Sequence, residues 1–295
     1  MISAILCTRN RSSQLALALE QFGNVEYDGQ FELIVVNNGS SDDTSNVIAS
    51  FASRSDFPVT EVKEATPGLA NARNAGVAAS SGSVIVFTDD DCYVDRHFLT
   101  EMTRPFKWDH IGFVGGRIVL HDETDARMTI RLDERPMTYL RANFIGPGHI
   151  QGAAMAFRRD VLEQIGGFDP LFGSGAHFPA EDFDSILRAS QSGWYGIYWP
   201  DALVRHHHGR KTEDVPALVK AYSIGRGAVF AKLLFRQHAF KIARQMLYWR
   251  LRGAFRDPGS FIWEAHGFFG YLARMQSSGT TTRPAGRRGK EARPA

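Results

Sequence analysis

The stretch SVIVFTDDDCYVD, residues 83–95, decides the fold. It sets three consecutive aspartates, Asp89, Asp90 and Asp91, directly behind an apolar run suited to burial. Adjacent carboxylates repel one another and burial raises the cost of ionising them, so a purely structural use of the triplet would need several hydrogen-bond donors. A metal cation, or a ligand rich in hydroxyls, supplies them more directly. The run therefore reads as a core strand whose C-terminal end carries chemistry.

Outward from this strand the chain alternates between two periodicities. Towards the N-terminus, ISAILCT (2–8), FELIVVNNGS (31–40) and VTEVKEA (59–65) read as strands. RSSQLALALEQF (11–22) reads as a helix opened by a serine cap, SDDTSNVIASFA (41–52) as a helix with acidic residues in its first turn, and LANARNAGVAAS (69–80) as a third. Regular alternation implies an α/β fold with a mostly parallel, right-handed wound sheet flanked by helices. Such sheets bind ligands beyond the C-terminal ends of their strands. The turns TRNR (8–11), NNGSSDD (37–43) and TDDDC (88–92) are thus expected to converge on one edge.

Towards the C-terminus come a helix in DRHFLTEMTRPF (95–106), a strand IGFVGGRIVL (111–120), and an irregular stretch over residues 122–147. A small-residue segment, GHIQGAAMAFRRDVLEQIGGFDP (148–170), follows. PAEDFDSILRASQSG (179–193) reads as a helix with Glu181 and Asp182 in its first turn, and WYGIYWPDALVRHHHGRK (194–211) as a short strand running into a histidine cluster.

Composition excludes several alternatives. The 295 residues include only two cysteines, Cys7 and Cys92, in no paired metal-ligand spacing, so neither a disulfide framework nor a zinc knuckle is expected and a reducing cytoplasm fits. The apolar N-terminal stretch is too short for a signal peptide, and no apolar run reaches the length of a membrane-spanning helix. Neither a G-x-G-x-x-G fingerprint nor a P-loop is present, which disfavours an NAD enzyme or a P-loop ATPase. The net charge of +2 hides an asymmetry: residues 1–218 hold 19 Lys/Arg against 29 Asp/Glu, residues 219–295 hold 15 against 3. An acidic body with a basic C-terminal part points to an anionic surface or ligand near that end.

Six pieces, in order, resemble the family 2 glycosyltransferases with their GT-A fold: ILCTRNR, ELIVVNNGSSDDT, PGLANARNAGVAASSGSVIVFTDDDCYVD, GAAMAFRRDVLEQIGGFDP, AEDFDSILRASQSG and YWPDALVRHH. They cover roughly residues 1–210. The resemblance implies transfer of a sugar from a nucleotide-activated donor to an acceptor hydroxyl, with inversion at the anomeric carbon and with Mn or Mg as cofactor. The physical reading agrees, since a protein without a P-loop must neutralise the donor's diphosphate with a cation held by oxygen ligands.

By the same resemblance, Asp91 of the D-x-D arrangement holds the metal, Asp90 meets the ribose hydroxyls and Asp89 supports either. Thr8 and Arg9 would face the base, and Asn38 could pair with its edge, with uracil, thymine and guanine all open. Arg73 matches an arginine facing the nucleotide; the plainer alternative is a helix-surface arginine. Gly152 and Ala153 suit a loop against the donor sugar, because side chains there must not fill the pocket. Asp182 is implied as the catalytic base with Glu181 beside it, at a helix N-terminus where backbone N–H groups stabilise a carboxylate. Asp184, one turn in, fits a structural pair with Arg188, and Arg158 and Arg159 are expected to hold their segment by charge-assisted bonds. His206 is the implied histidine ligand or diphosphate contact, with His208, on the same face of an extended strand, as the alternative.

Three regions are expected: a catalytic domain over 1–210, a helical extension over 211–276 and a basic disordered tail over 277–295. The extension reads either as a pair of helices packed on the catalytic domain or as a segment at an anionic membrane interface on the inner face of the cytoplasmic membrane. The acceptor would be a saccharide or a lipid-linked saccharide, in polysaccharide or glycolipid assembly, and no nucleic-acid partner is expected. No Q-x-x-R-W motif follows AEDFD, which disfavours a processive synthase. A nucleotidyltransferase, or a catalytically inactive nucleotide-sugar or glycan-binding protein, are the rival readings.

Overall fold

The apolar run of the opening stretch is β4, Val84–Asp89, and its side chains alternate between two cores as a pleated strand requires. A computed structural model describes residues 1–253 and 259–277. The expected tail beyond Ser277 lies outside the described residues.

The elements before β4 are β1 (Ile2–Thr8), α1 (Ser12–Phe22), β2 (Phe31–Asn37), α2 (Thr44–Ala52), β3 (Val59–Lys63) and α3 (Leu69–Ala79). After it come β5 (Cys92–Val94), α4 (Phe98–Thr103), β6 (Ile111–Leu120), β7 (Met137–Tyr139), β8 (Met155–Arg158), α5 (Arg159–Ile165), α6 (Glu181–Gln191) and β9 (Tyr195–His206). The chain continues through α7 (Val215–Phe235), α8 (Phe240–Gly253) and α9 (Ser260–Ser277).

The strands form one sheet in the order β3-β2-β1-β4-β8-β6-β9-β5, with β7 also on β9. β3, β2, β1 and β4 run parallel; β8 enters antiparallel to β4 and to β6, and β6 and β9 are parallel again. One face carries Ile5, Ile34, Val36, Ile85 and Phe87 against α3, α5, α6 and the C-terminal helices. The other carries Ala4, Leu6, Leu33, Val35 and Val86 against α1, α2 and α4. Strands buried on both faces read as nearly continuous apolar runs, which is why their identity was plain from sequence.

Four expectations need correction. The α1 helix has no serine cap; Arg11 holds the cap position, and the Asp42 carboxylate accepts the Ser12 amide at 2.9 Å. The acidic pair Asp42 and Asp43 lies just before α2 rather than in its first turn. The strand β9 is twelve residues long, not short, because β6 lines one edge while β7 and β5 share the other. Three helices, not a pair, follow β9 among the described residues.

These helices are joined to the sheet's helical face. In α7, Gly225 faces the backbone of Pro179, so closely that a Cβ at 225 would collide with the Pro179 carbonyl. Ala180, next in chain, has φ of 105° and heads α6. Lys232, also from α7, is buried between Asp169 and Asp184, 2.7 Å from each.

Candidate functional site

The parallel half of the sheet delivers the aspartate triplet to its C-terminal edge, beside the turn that follows β1. Thr8 ends β1 and donates its hydroxyl to Asp90 Oδ2 at 2.7 Å. Arg11, on the same turn, spans two carboxylates, with Nη1 on Asp90 Oδ1 and Nη2 on Asp91 Oδ2, each at 2.9 Å. Burial pushes the Asp90 carboxyl up to about 7, against the pull of Arg11 and Thr8. Asp91 goes the other way: burial opposes its ionisation, but His206 and Arg11 outweigh it and hold its carboxyl below the usual range.

His206 comes from the far half of the sheet. It ends β9, opposite Cys92 of β5, and its Nε2 stands 3.3 Å from Asp91 Oδ1. Burial disfavours the imidazolium, yet the bond to Asp91 raises its pKa. Asp91, Cys92 and His206 are the group among the described residues that could hold a metal ion, with ligand atoms within 4.8 Å of one another. An oxygen and an imidazole nitrogen fit Mn or a similar divalent ion. The Cys92 thiol is the soft member of the group, less suited to Mn than the carboxylate, and burial drives its pKa well above the ordinary value. His208 stands apart from this group: its side chain is buried, its Nδ1 accepts the Arg210 amide at 3.0 Å and lies 3.6 Å from Asp125, and its ring packs edge-on to His206.

The other residues expected on the donor side divide. Arg9 is exposed on the turn after β1. Asn38 is buried, and both its amide hydrogens are spent on the carbonyls of Glu64 and Thr66, at 3.0 and 2.7 Å, while Oδ1 accepts the Gly68 amide. Its side chain pins the loop before α3 and keeps no N–H for a base edge. Arg73 is no surface residue: only 2 % of it is exposed, and its guanidinium packs on the touching rings of Phe87 and Phe168. One nitrogen reaches Glu181 at 2.7 Å and the other Asp89 at 3.3 Å.

Arg73 thereby ties the end of β4 to the start of α6. Asp182, the second residue of α6, accepts the amides of Phe183 at 2.6 Å and Gly152 at 3.1 Å. Burial pushes both Glu181 and Asp182 up, and the Arg73 charge partly offsets this. Gly152 must be glycine, because a Cβ there would run into the Arg73 guanidinium. Ala153 follows it, buried in the same turn. Asp184 pairs with Arg188 at 2.8 Å as its spacing suggested. Arg158 and Arg159 secure their segment through the carbonyls of Ile111, Phe106 and Gly82.

The arrangement has two connected halves. Thr8, Asp90, Asp91 and His206 meet at one, and Asp89, Arg73, Glu181, Asp182 and Gly152 at the other. Sequence reasoning passed over Arg11 and Lys232. Arg11 was legible in principle, as the second arginine of TRNR in a turn expected to face the triplet; Lys232 gave no signal within a helix of mixed aliphatic and basic residues.

The chain is similar to known proteins in sequence and in fold. The sequence model of "Glycosyl transferase family 2" matches residues 3–166. Glycosyltransferase AglE of Haloferax volcanii is 22 % identical over 262 residues, covering 88 % of this chain and 83 % of that protein. Among solved structures, the mannosyltransferase PcManGT from Pyrobaculum calidifontis, in complex with GDP-Man and Mn2+, superposes with a TM-score of 0.66 at 20 % identity, over 94 % of this chain and 79 % of that one. S. aureus TarS in complex with UDP gives 0.58 at 15 % identity, over 94 % and 82 %. At such identities these structures establish the shared architecture, the GT-A fold with its C-terminal helices. The family match, spanning more than half of the chain, makes this protein a glycosyltransferase of family 2.

Proposed function

We propose that this glycosyltransferase moves a single sugar, with inversion, from a nucleoside diphosphate donor to an acceptor hydroxyl, using a divalent metal. The observation that carries the proposal is the seating of Asp182: two backbone amides fix its carboxylate at the start of α6, and Arg73 links its neighbour Glu181 to Asp89 of the triplet. Asp182 takes the acceptor proton as the acceptor oxygen bonds to the anomeric carbon. The bond from that carbon to the diphosphate breaks on the opposite face, and the nucleoside diphosphate leaves with the electron pair. Glu181, clamped by Arg73, positions the acceptor.

On the donor side, Asp90 holds the ribose hydroxyls with Thr8 bracing its other oxygen, and the turn of Gly152 and Ala153 walls the sugar, with Arg73 filling the space beside Gly152. Asp91 and His206 would hold the metal, and the imidazole nitrogen favours Mn over Mg. When bound, the cation supplies neutralising charge for the leaving diphosphate. The complexes of the two structural neighbours with GDP-Man and with UDP support a nucleotide-linked donor.

The acceptor is a saccharide or lipid-linked saccharide presented at an anionic membrane surface on the cytoplasmic side, where α8 docks. That helix has no acidic residue, exposes Lys241, Arg244 and Arg252 while its Arg250 is paired with Glu264, and also exposes Phe240, Leu247, Tyr248 and Leu251. No described helix is long and apolar enough to cross a membrane. Asp182→Asn should abolish transfer, by at least ~10²-fold for loss of the base, while donor binding measured by calorimetry stays near wild type. Unchanged transfer would refute the assignment.

A further inference from the structure

We infer that Arg11 is the resident counter-ion of the Asp90–Asp91 pair, exchanged for a divalent cation when a nucleoside diphosphate binds. The inference rests on the donor site proposed above and adds an ordering to it. Two adjacent buried carboxylates cannot both stay ionised without a cation beside them. Arg11 provides that cation by reaching Asp90 with one nitrogen and Asp91 with the other. The remaining oxygens are also engaged: Asp90 Oδ2 by the Thr8 hydroxyl and Asp91 Oδ1 by His206. All four carboxylate oxygens thus have partners within the protein itself.

Arg11 is the member of this group able to leave. Its side chain is 37 % exposed, whereas those of Asp90, Asp91 and His206 are 5, 10 and 8 % exposed. A dication seated on Asp91 Oδ1 and His206 would share one carboxylate with the guanidinium, and the two positive centres repel. A ribose hydroxyl donating to Asp90 Oδ1 would need the seat that Arg11 Nη1 holds. Donor binding therefore displaces Arg11 from both aspartates, and the diphosphate offers it a new anionic partner of matching geometry. Metal and nucleotide then bind with positive coupling, because each removes an obstacle to the other.

The test is titration of Mn2+ into the full chain followed by calorimetry, with and without UDP or GDP, in wild type, Arg11→Met and Arg11→Lys. Met keeps an unbranched stem and removes the charged guanidinium, so Mn2+ alone should bind at least about tenfold more tightly than to wild type, from the lost repulsion. Lys keeps the charge but cannot span two carboxylates, and should fall between them. Asp91→Asn added to Arg11→Met should erase the gain, which locates it at this site. Thermal unfolding gives a second readout: Mn2+ alone should raise the melting temperature of Arg11→Met more than that of wild type. If Arg11→Met binds Mn2+ alone no more tightly than wild type, including no binding by either, the exchange is overturned. If wild type also fails to bind Mn2+ in the presence of both nucleotides, the donor-site reading itself falls.

Discussion

Lys232→Met tests how firmly the C-terminal helices hold α6. The ammonium lies 2.7 Å from Asp169 on one side and 2.7 Å from Asp184 on the other, with 5 % of the side chain exposed. Removing one partner of a buried ion pair costs about 3–5 kcal/mol, mostly for the charge left behind. Two features place this case at the low end: Asp184 keeps Arg188 at 2.8 Å, and Asp169 is 19 % exposed and can rehydrate. A loss of about 3 kcal/mol in a chain of this size lowers the melting temperature by roughly 6–12 °C.

The pH dependence of this loss follows from Asp184. Burial opposes its ionisation, but Arg188 and Lys232 outweigh it and depress its pKa. A depressed carboxyl contributes stability above its unfolded pKa, and that contribution disappears as pH falls through the folded value. The gap between wild type and Lys232→Met, followed by circular dichroism during heating, should therefore be complete from neutrality down to the ordinary aspartate range and narrow below pH ~4, as pH falls through the depressed Asp184 value. Adding Asp184→Asn to Lys232→Met should recover part of the loss, because the uncompensated charge is gone. A melting temperature within about 1 °C of wild type at neutral pH, set against the several degrees expected, would refute the reasoning.

Two further outcomes are expected. Because burial raises Asp182 and a base works when ionised, transfer should rise with pH through a limb above the ordinary aspartate range. Arg73→Lys should move that limb to higher pH by loosening the offsetting charge, and a rate flat across the limb would remove Asp182 as base. The protein should co-sediment with anionic vesicles at low salt and detach as salt is raised, with Phe240→Glu plus Leu251→Glu abolishing capture. Equal recovery in the supernatant with and without vesicles would end the docking proposal.

Much of the donor half was legible from sequence because local signals and the sheet agree there. The runs ISAILCT and IGFVGGRIVL coincide with β1 and β6 residue for residue, since a strand buried on both faces announces itself by composition. The link from Arg73 to Glu181 was not legible, because it joins residues 108 apart in sequence, brought together only when α3 and α6 pack on the same face of the sheet. Asn38 misled for a related reason: a polar residue at a strand end suits a ligand or a neighbouring loop equally well, and only the positions of Glu64, Thr66 and Gly68 decide between them. The α1 cap failed on a single detail, a carboxylate from the next loop substituting for a local serine.

The close seat of Gly225 on Pro179 bears on how the enzyme comes into being. Ala180 holds a φ of 105°, an arrangement that costs about 1–3 kcal/mol in a non-glycine residue and persists only where its surroundings enforce it. The surroundings here include α7, which leaves the ribosome after the whole sheet. A nascent chain can thus assemble the strands that carry Asp89, Asp90 and Asp91 before the Glu181–Asp182 corner is locked. On the proposed site roles, competence to grip a nucleotide would precede competence to transfer its sugar, and the helices that follow the sheet would turn the one into the other.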